Sequence, residues 1–346
     1  MRSLKTVTVV GCHAEGEVGR VVTGGVLPPP GRTVFEKMQH LRQHQDELRK
    51  FLLFEPRGGA FVHANLIVPA CDPQAHAGFI VMEATEYPPM SGTNSMCVAT
   101  VLLETGMLPM TEPVTHLTLE CPGGLIGIEA TCRDGKCERV RVVNVPSFVA
   151  RRDIQLDVPG IGRVRADIAY GGAFFVIVEA QDLDLAIVPD EARRIVDLGH
   201  QITRAASEAF PVRHPGNPEI HGPTFTQFVG KVEHADDGSA SGRNAVVVYP
   251  GKIDRSPCGT GTSAWLSLLH AKGVLATGQR FVSRSILDAE FACRIESVAD
   301  VAGTAGIVPS FAGRAWITDM SQYLLDPQDP YPHGYTLTDT WAERLT

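Results

Sequence analysis

Ser91-Gly92-Thr93-Asn94-Ser95 and Cys258-Gly259-Thr260-Gly261-Thr262 lie 167 residues apart and read as two copies of one device. The match continues without a gap: Leu102 falls on Leu269, Gly106 on Gly273 and Leu108 on Leu275. Five identities in eighteen positions point to an internal repeat. Each copy holds a turn, a small polar cluster able to cap a helix, an apolar helix and a closing glycine. Two such helices imply two halves built on one plan.

Both motifs are expected at helix N-termini. There the backbone N–H groups of Gly92, Thr93, Gly259 and Thr260, with the positive end of each helix dipole, make a site for a carboxylate. Halves facing each other across a pseudo-two-fold axis would aim both helices at one anion, flanked by Ser91 and Cys258. The active site is therefore expected in the cleft between the halves.

The rest of the chain agrees with that plan. Its 346 residues suffice for two domains of ordinary size. Periodicity predicts a strand over Thr6–Gly11, a long amphipathic helix over Thr33–Phe54, a strand over Ala60–Val68 and a strand meander over His116–Val145. The Pro/Gly-containing stretch Asp153–Gly162 marks the join. The pattern then restarts with a strand at Ala173–Val178, a helix from Pro189 to Phe210, strands near Thr224–Val232 and Asn244–Tyr249, and a helix after Cys258. The expected halves are 1–155, carrying the Ser91 motif, and 156–319, carrying the Cys258 motif. The tail 320–346 is expected to pack back on the first half.

Composition excludes several classes. Net charge −8, with basic residues scattered among acids, disfavours a phosphate backbone and hence nucleic acid. No apolar run approaches a membrane span, and Val7–Val10 is too short for a signal segment, so a cytoplasmic location is expected. Eight cysteines are sparse for this length and read as reduced thiols rather than a disulfide framework. Cys71, Cys97, Cys121 and Cys293 read as packing residues. Cys132 and Cys137, flanking a turn, read as incidental thiols of a hairpin rather than a zinc site.

Cys258 reads differently because of where it sits. An amino-acid α-proton is very weakly acidic, and removing it without a cofactor requires preorganised donors for the enolate in a water-excluded pocket. Paired helix N-termini supply such donors. A thiol whose pKa is lowered by a helix N-terminus is a competent carbon base. No cofactor and no metal is called for.

The segment Asp254-Arg255-Ser256-Pro257-Cys258-Gly259-Thr260-Gly261-Thr262 resembles the second catalytic motif of the proline racemase and hydroxyproline epimerase family, which also contains trans-3-hydroxy-L-proline dehydratases. Gly11–Glu17, Gly171-Gly172-Ala173-Phe174, His221-Gly222-Pro223 and Gly313-Arg314-Ala315-Trp316 extend the resemblance over essentially the whole chain. It implies a diaminopimelate-epimerase-like α/β (α+β) fold, two pseudo-symmetric halves each with a mixed sheet wrapped around a central helix. It further implies that Gly92, Thr93, Gly259 and Thr260 hold the ligand carboxylate, and that Asp254 and His221 contact the ring nitrogen and nearby polar groups. The partner implied is a small imino acid, and a homodimer is compatible with the sequence.

One departure qualifies the resemblance. Racemases and epimerases of the family typically carry Cys-Gly-His at the first motif, and here Ser91-Gly92-Thr93 stands instead. A serine hydroxyl with no neighbouring base in the motif is a poor proton abstractor. In trans-3-hydroxy-L-proline the hydroxyl shares a ring face with the α-hydrogen, so one base can take the proton and return it to the departing hydroxyl. That elimination needs one thiol. The expected activity is thus dehydration to Δ1-pyrroline-2-carboxylate, with Cys258 as base and Ser91 as its partner. The alternative is 4-hydroxyproline 2-epimerase, with proline racemase behind it. Two other classes are a Cys258–His221 hydrolase, which a burst of acyl-enzyme would reveal, and a non-catalytic imino-acid binding protein, which would leave α-protons unexchanged.

Overall fold

In the computed structural model, which describes residues 3–341 and 345, strands and helices alternate from end to end. The chain comprises β1 (Lys5–Ala14), β2 (Glu17–Gly24), α1 (Val34–His44), α2 (Glu47–Leu53), β3 (Val62–Val68), β4 (Ala77–Met82), α3 (Gly92–Glu104), β5 (Val114–Cys121), β6 (Gly124–Arg133) and β7 (Lys136–Val143). Next come β8 (Ser147–Val158), β9 (Gly162–Tyr170), β10 (Phe174–Glu179), α4 (Ala192–Ala209), β11 (Arg213–His214), β12 (Asn217–His221), β13 (Phe225–Val229), β14 (Glu233–His234), β15 (Ala240–Val248) and β16 (Lys252–Ile253). Last are α5 (Gly259–Ala271), β17 (Arg280–Arg284), β18 (Glu290–Val301), β19 (Thr304–Gly313) and β20 (Ala315–Leu325). Two compact units result, Met1–Val142 with Arg314–Thr346, and Val143–Gly313.

These limits differ from those read in the sequence. The stretch Asp153–Gly162 does not join the units: it belongs to the β8–β9 hairpin of the second, paired from Phe148 opposite Tyr170 to Val158 opposite Gly162. Pro159, Gly160 and Ile161 form its turn, with Gly160 at φ 79°. The single helix expected over Thr33–Phe54 is two, since the backbone leaves helical geometry at Gln45 (φ −142°) and restarts after Asp46. Asp46 is committed elsewhere: its carboxylate accepts from Arg49 and from the Tyr87 hydroxyl at 2.9 Å.

Each unit repeats one ladder. In the first, β20, β1, β2, β3, β4, β5 and β6 lie side by side, joined in turn by antiparallel, antiparallel, parallel, antiparallel, parallel and antiparallel pairings. In the second, β8, β9, β10, β13, β15, β17 and β18 follow the same succession. There β19 pairs with both β18 and β8, closing the second sheet on itself. The parallel steps are crossovers through helices, α1–α2 and α3 in one unit and α4 and α5 in the other, as parallel neighbours require.

The central helices α3 and α5 are each thirteen residues long. Residues 92–103 of α3 and 259–269 of α5 are all buried, the expected fate of a helix apolar on every side. Helix α3 packs on β1, β2, β3 and β20, and α5 on β8, β9, β10 and β19. Their endings also correspond. Gly106 (φ 74°) and Gly273 (φ 72°) close the helices in a left-handed conformation. Leu108 N–H then donates to Leu102 O at 2.9 Å, and Leu275 N–H to Leu269 O at 3.3 Å. Among the described residues no helix is long and apolar enough to cross a membrane.

Candidate active site

Cys258 is the N-cap of α5 and holds φ 58°, ψ 103°, a conformation that costs a non-glycine residue roughly 1–3 kcal/mol and must be held by its surroundings. Ser256 Oγ accepts the Cys258 N–H at 3.2 Å, Pro257 O accepts from Thr262 Oγ1 at 2.9 Å, and Cys258 O accepts the Thr262 N–H at 2.8 Å. The sulfur is thereby fixed over the first turn. Sγ accepts the Gly261 N–H at 3.3 Å and lies 3.5 Å from Thr260 Oγ1. Gly261 permits this approach, since an added Cβ would lie 3.2 Å from Sγ, 3.0 Å from Val246 Cγ2 and 3.3 Å from Gln227 Nε2.

The protonation of this thiol runs against the sequence reading. Burial pushes its pKa well above the ordinary cysteine value, and the Asp254 carboxylate pushes it further. The Thr260 hydroxyl and the Gly261 N–H pull the other way, yet do not prevail. The favourable helix terminus is local and legible in the motif. Desolvation by the surrounding sheet is not. Asp254 is itself buried, its N–H bonded to Val246 O and its carboxylate 3.5 Å from Lys252 Nζ.

Ser91 caps α3 at the corresponding position but in another way. Its backbone is extended and its hydroxyl makes no bond to the helix N–H groups. Instead Asn94 Nδ2 donates to Ser91 Oγ at 2.8 Å, and Thr93 Oγ1 lies 3.4 Å away. Behind Asn94 is a buried polar chain. Asn65 Nδ2 donates to Asn94 Oδ1 at 2.7 Å and to Arg20 O at 3.1 Å, and His63 Nδ1 lies 3.1 Å from Asn94 Nδ2. His63 Nε2 in turn lies 3.6 Å from Glu17 and 3.7 Å from Glu83, and all three residues are buried.

The other expected residues fall as follows. Gly92 and Thr93 open α3, and Gly259 and Thr260 open α5, where helix geometry leaves the first N–H groups without intrahelical acceptors. His221 ends β12 in the exposed two-stranded β11–β12 ladder, opposite Arg213. His13, in the Gly11–Glu17 segment, stacks on Trp316 with centroids 5.0 Å apart. All eight cysteines are free thiols, with Cys132 and Cys137 sulfurs 3.9 Å apart across their turn. Sequence reasoning passed over Asn94, Asn65, His63, Glu17 and Glu83. The one available signal was Asn94 standing where the second motif has Gly261.

Comparison with known proteins places these features in context. The family model described as proline racemase matches residues 9–336. The crystal structure of a hydroxyproline epimerase from Agrobacterium vitis, with bound trans-4-hydroxy-L-proline, is similar with TM-score 0.93 and 40% identity, over 99% of this chain and 97% of that one. A probable proline racemase from Agrobacterium radiobacter, with bound carbonate, gives 0.91 and 41%, over 97% and 98%. A phenazine biosynthesis protein of the PhzF family from Bacillus anthracis shares the fold alone, with TM-score 0.55 and 11% identity over 93% and 100%. The diaminopimelate-epimerase-like mixed α/β fold is thus shared well beyond recognisable sequence similarity.

Proposed function

The chain belongs to the proline racemase family, and on that premise we propose that it dehydrates trans-3-hydroxy-L-proline to Δ1-pyrroline-2-carboxylate without a cofactor. The observation that carries this reading is the unequal pair of helix caps: a thiol at Cys258, and at Ser91 a hydroxyl that accepts from an amide. One thiol serves one ring face, and the syn elimination needs one face only.

In this reading the first N–H groups of α3 and α5 hold the substrate carboxylate, through Gly92, Thr93, Gly259 and Thr260. The cationic ring nitrogen sits against Asp254, with His221 contributing to the polar surroundings. That cation offsets the carboxylate charge which raises the Cys258 thiol, so substrate binding promotes the thiolate. Cys258 takes the α-proton. The electron pair forms the C2–C3 double bond as the C3–O bond breaks, and the proton passes from sulfur to the departing hydroxide, which leaves as water. The resulting enamine tautomerises to the pyrroline.

A second reading, 4-hydroxyproline 2-epimerase, is favoured by the similarity to the Agrobacterium vitis epimerase. Proton NMR in deuterated water with the 3-hydroxy and 4-hydroxy substrates, alongside Cys258→Ser, separates the two. Conversion of the 3-hydroxy substrate to the pyrroline, lost in the variant, supports dehydration. Deuterium incorporation with inversion of the 4-hydroxy substrate and no elimination would overturn it.

A further inference from the structure

The polar chain behind Ser91 has a direction. Arg20 O is a carbonyl and can only accept, so the Asn65 atom 3.1 Å from it is the amide nitrogen. That nitrogen also faces Asn94 at 2.7 Å, so the Asn94 atom it meets is the oxygen. The Asn94 nitrogen therefore faces the other way, with its two hydrogens directed at Ser91 Oγ and His63 Nδ1. His63 Nδ1 accepts, which leaves the imidazole proton on Nε2, toward Glu17 and Glu83. Every orientation follows from one backbone carbonyl.

We infer that Asn94 is a positioning residue that makes Ser91 a hydrogen-bond donor toward the substrate. With an oxygen lone pair committed to Asn94, the hydroxyl turns its own proton away from the buried chain, toward Thr93 Oγ1 or a substrate oxygen. The amide donation also polarises the O–H bond. Ser91 so held gives a hydrogen bond to a carboxylate or ring oxygen and is ill suited to take a proton from carbon.

The second motif shows the contrast. At the position of Asn94 it has Gly261, which has no side chain and whose backbone N–H holds the sulfur directly. The two caps are thus fixed by different groups: a helix N–H for Cys258 and a side-chain amide for Ser91. Asn94, Asn65 and His63 are all buried, and the amide of Asn94 is bonded on three sides, so it has little freedom to reverse.

This inference rests on the reading above that Ser91 faces the substrate. The test is a double-mutant cycle on kcat and KM with trans-3-hydroxy-L-proline, using Asn94→Asp, Asn94→Gly and Ser91→Ala, alone and combined. Asn94→Asp keeps the shape but can only accept from Ser91, and Asn94→Gly copies the second motif. Each is expected to lower kcat about tenfold or more with KM within about threefold, and neither to lower it further once Ser91 is alanine. Additive losses, or near-normal kcat in both Asn94 variants or in Ser91→Ala, overturn the inference. If the wild-type protein epimerises the 4-hydroxy substrate instead of dehydrating the 3-hydroxy one, the proposed function fails. The same cycle, measured on epimerisation, then still decides the role of Asn94.

Discussion

Asp254 works against the ionisation of Cys258: after burial itself, its carboxylate is the largest influence holding the thiol protonated. Burial and this carboxylate together favour the protonated thiol in the free protein. In the proposed reaction, the cationic ring nitrogen of the substrate beside Asp254 would offset that charge and so couple binding to the appearance of the thiolate.

Replacing Asp254 by Asn is expected to split two properties that usually move together. Removing the carboxylate lowers the thiol pKa, so alkylation of Cys258 by iodoacetamide at pH 8 should speed up several-fold in the free enzyme. If Asp254 meets the substrate nitrogen as proposed, turnover should fall about 10- to 100-fold through loss of that charged contact. Slower alkylation in the variant would show that Asp254 is not what raises the thiol.

Gly261→Ala tests the placement of the sulfur. Its new Cβ would press on Sγ, Val246 and Gln227 at 3.0–3.3 Å, so the thiol must shift by a few tenths of an ångström. Helix propensity favours alanine by about 1 kcal/mol, so the melting temperature should change little while kcat falls about tenfold or more. Unchanged kcat would show that the site tolerates the shift.

Gly171→Ala tests the fold beneath it. There an added Cβ would collide with the backbone carbonyl of Thr260 and lie 2.5 Å from the Ala264 nitrogen, in the body of α5. Backbone cannot swing aside as a side chain does, so a loss of about 2–4 kcal/mol in urea unfolding is expected.

Glu86 gives a pH dependence of stability. Burial raises its carboxyl from the ordinary 4.5 to about 7, against a smaller opposing effect from Arg42. The folded state thus keeps a proton that the unfolded chain has released. The associated stability is complete below about pH 4.5 and is lost as pH rises toward 7. Glu86→Gln should therefore unfold at higher temperature than wild type at pH 7.5, with the difference shrinking toward pH 4.5. A difference independent of pH would exclude the titration.

What the sequence disclosed was local. Helices α3 and α5, their caps and their closing glycines are written in contiguous residues. The break between α1 and α2 was hidden because it falls at Gln45-Asp46, with no proline or glycine to mark it. Asn94 lay in plain view, but its meaning depends on Arg20 from β2 and on Asn65 and His63 from β3, and β3 is buried on both faces, so alternation marks neither Asn65 nor His63. The direction of the Cys258 shift was misread for the same reason, since burial is a property of the assembled sheet.

The pairing of β1 with β20 has a consequence for synthesis. Residues 5–14 leave the ribosome about 300 residues before the strand that covers one edge of β1, which begins only at residue 315. The second unit, continuous in sequence, can complete its ladder while the chain is still being made. The first must wait for β20 to emerge with that edge of β1 open, an invitation to pairing with other chains. Nascent chains halted before residue 315 should therefore depend on chaperones most strongly at their N-terminal strand.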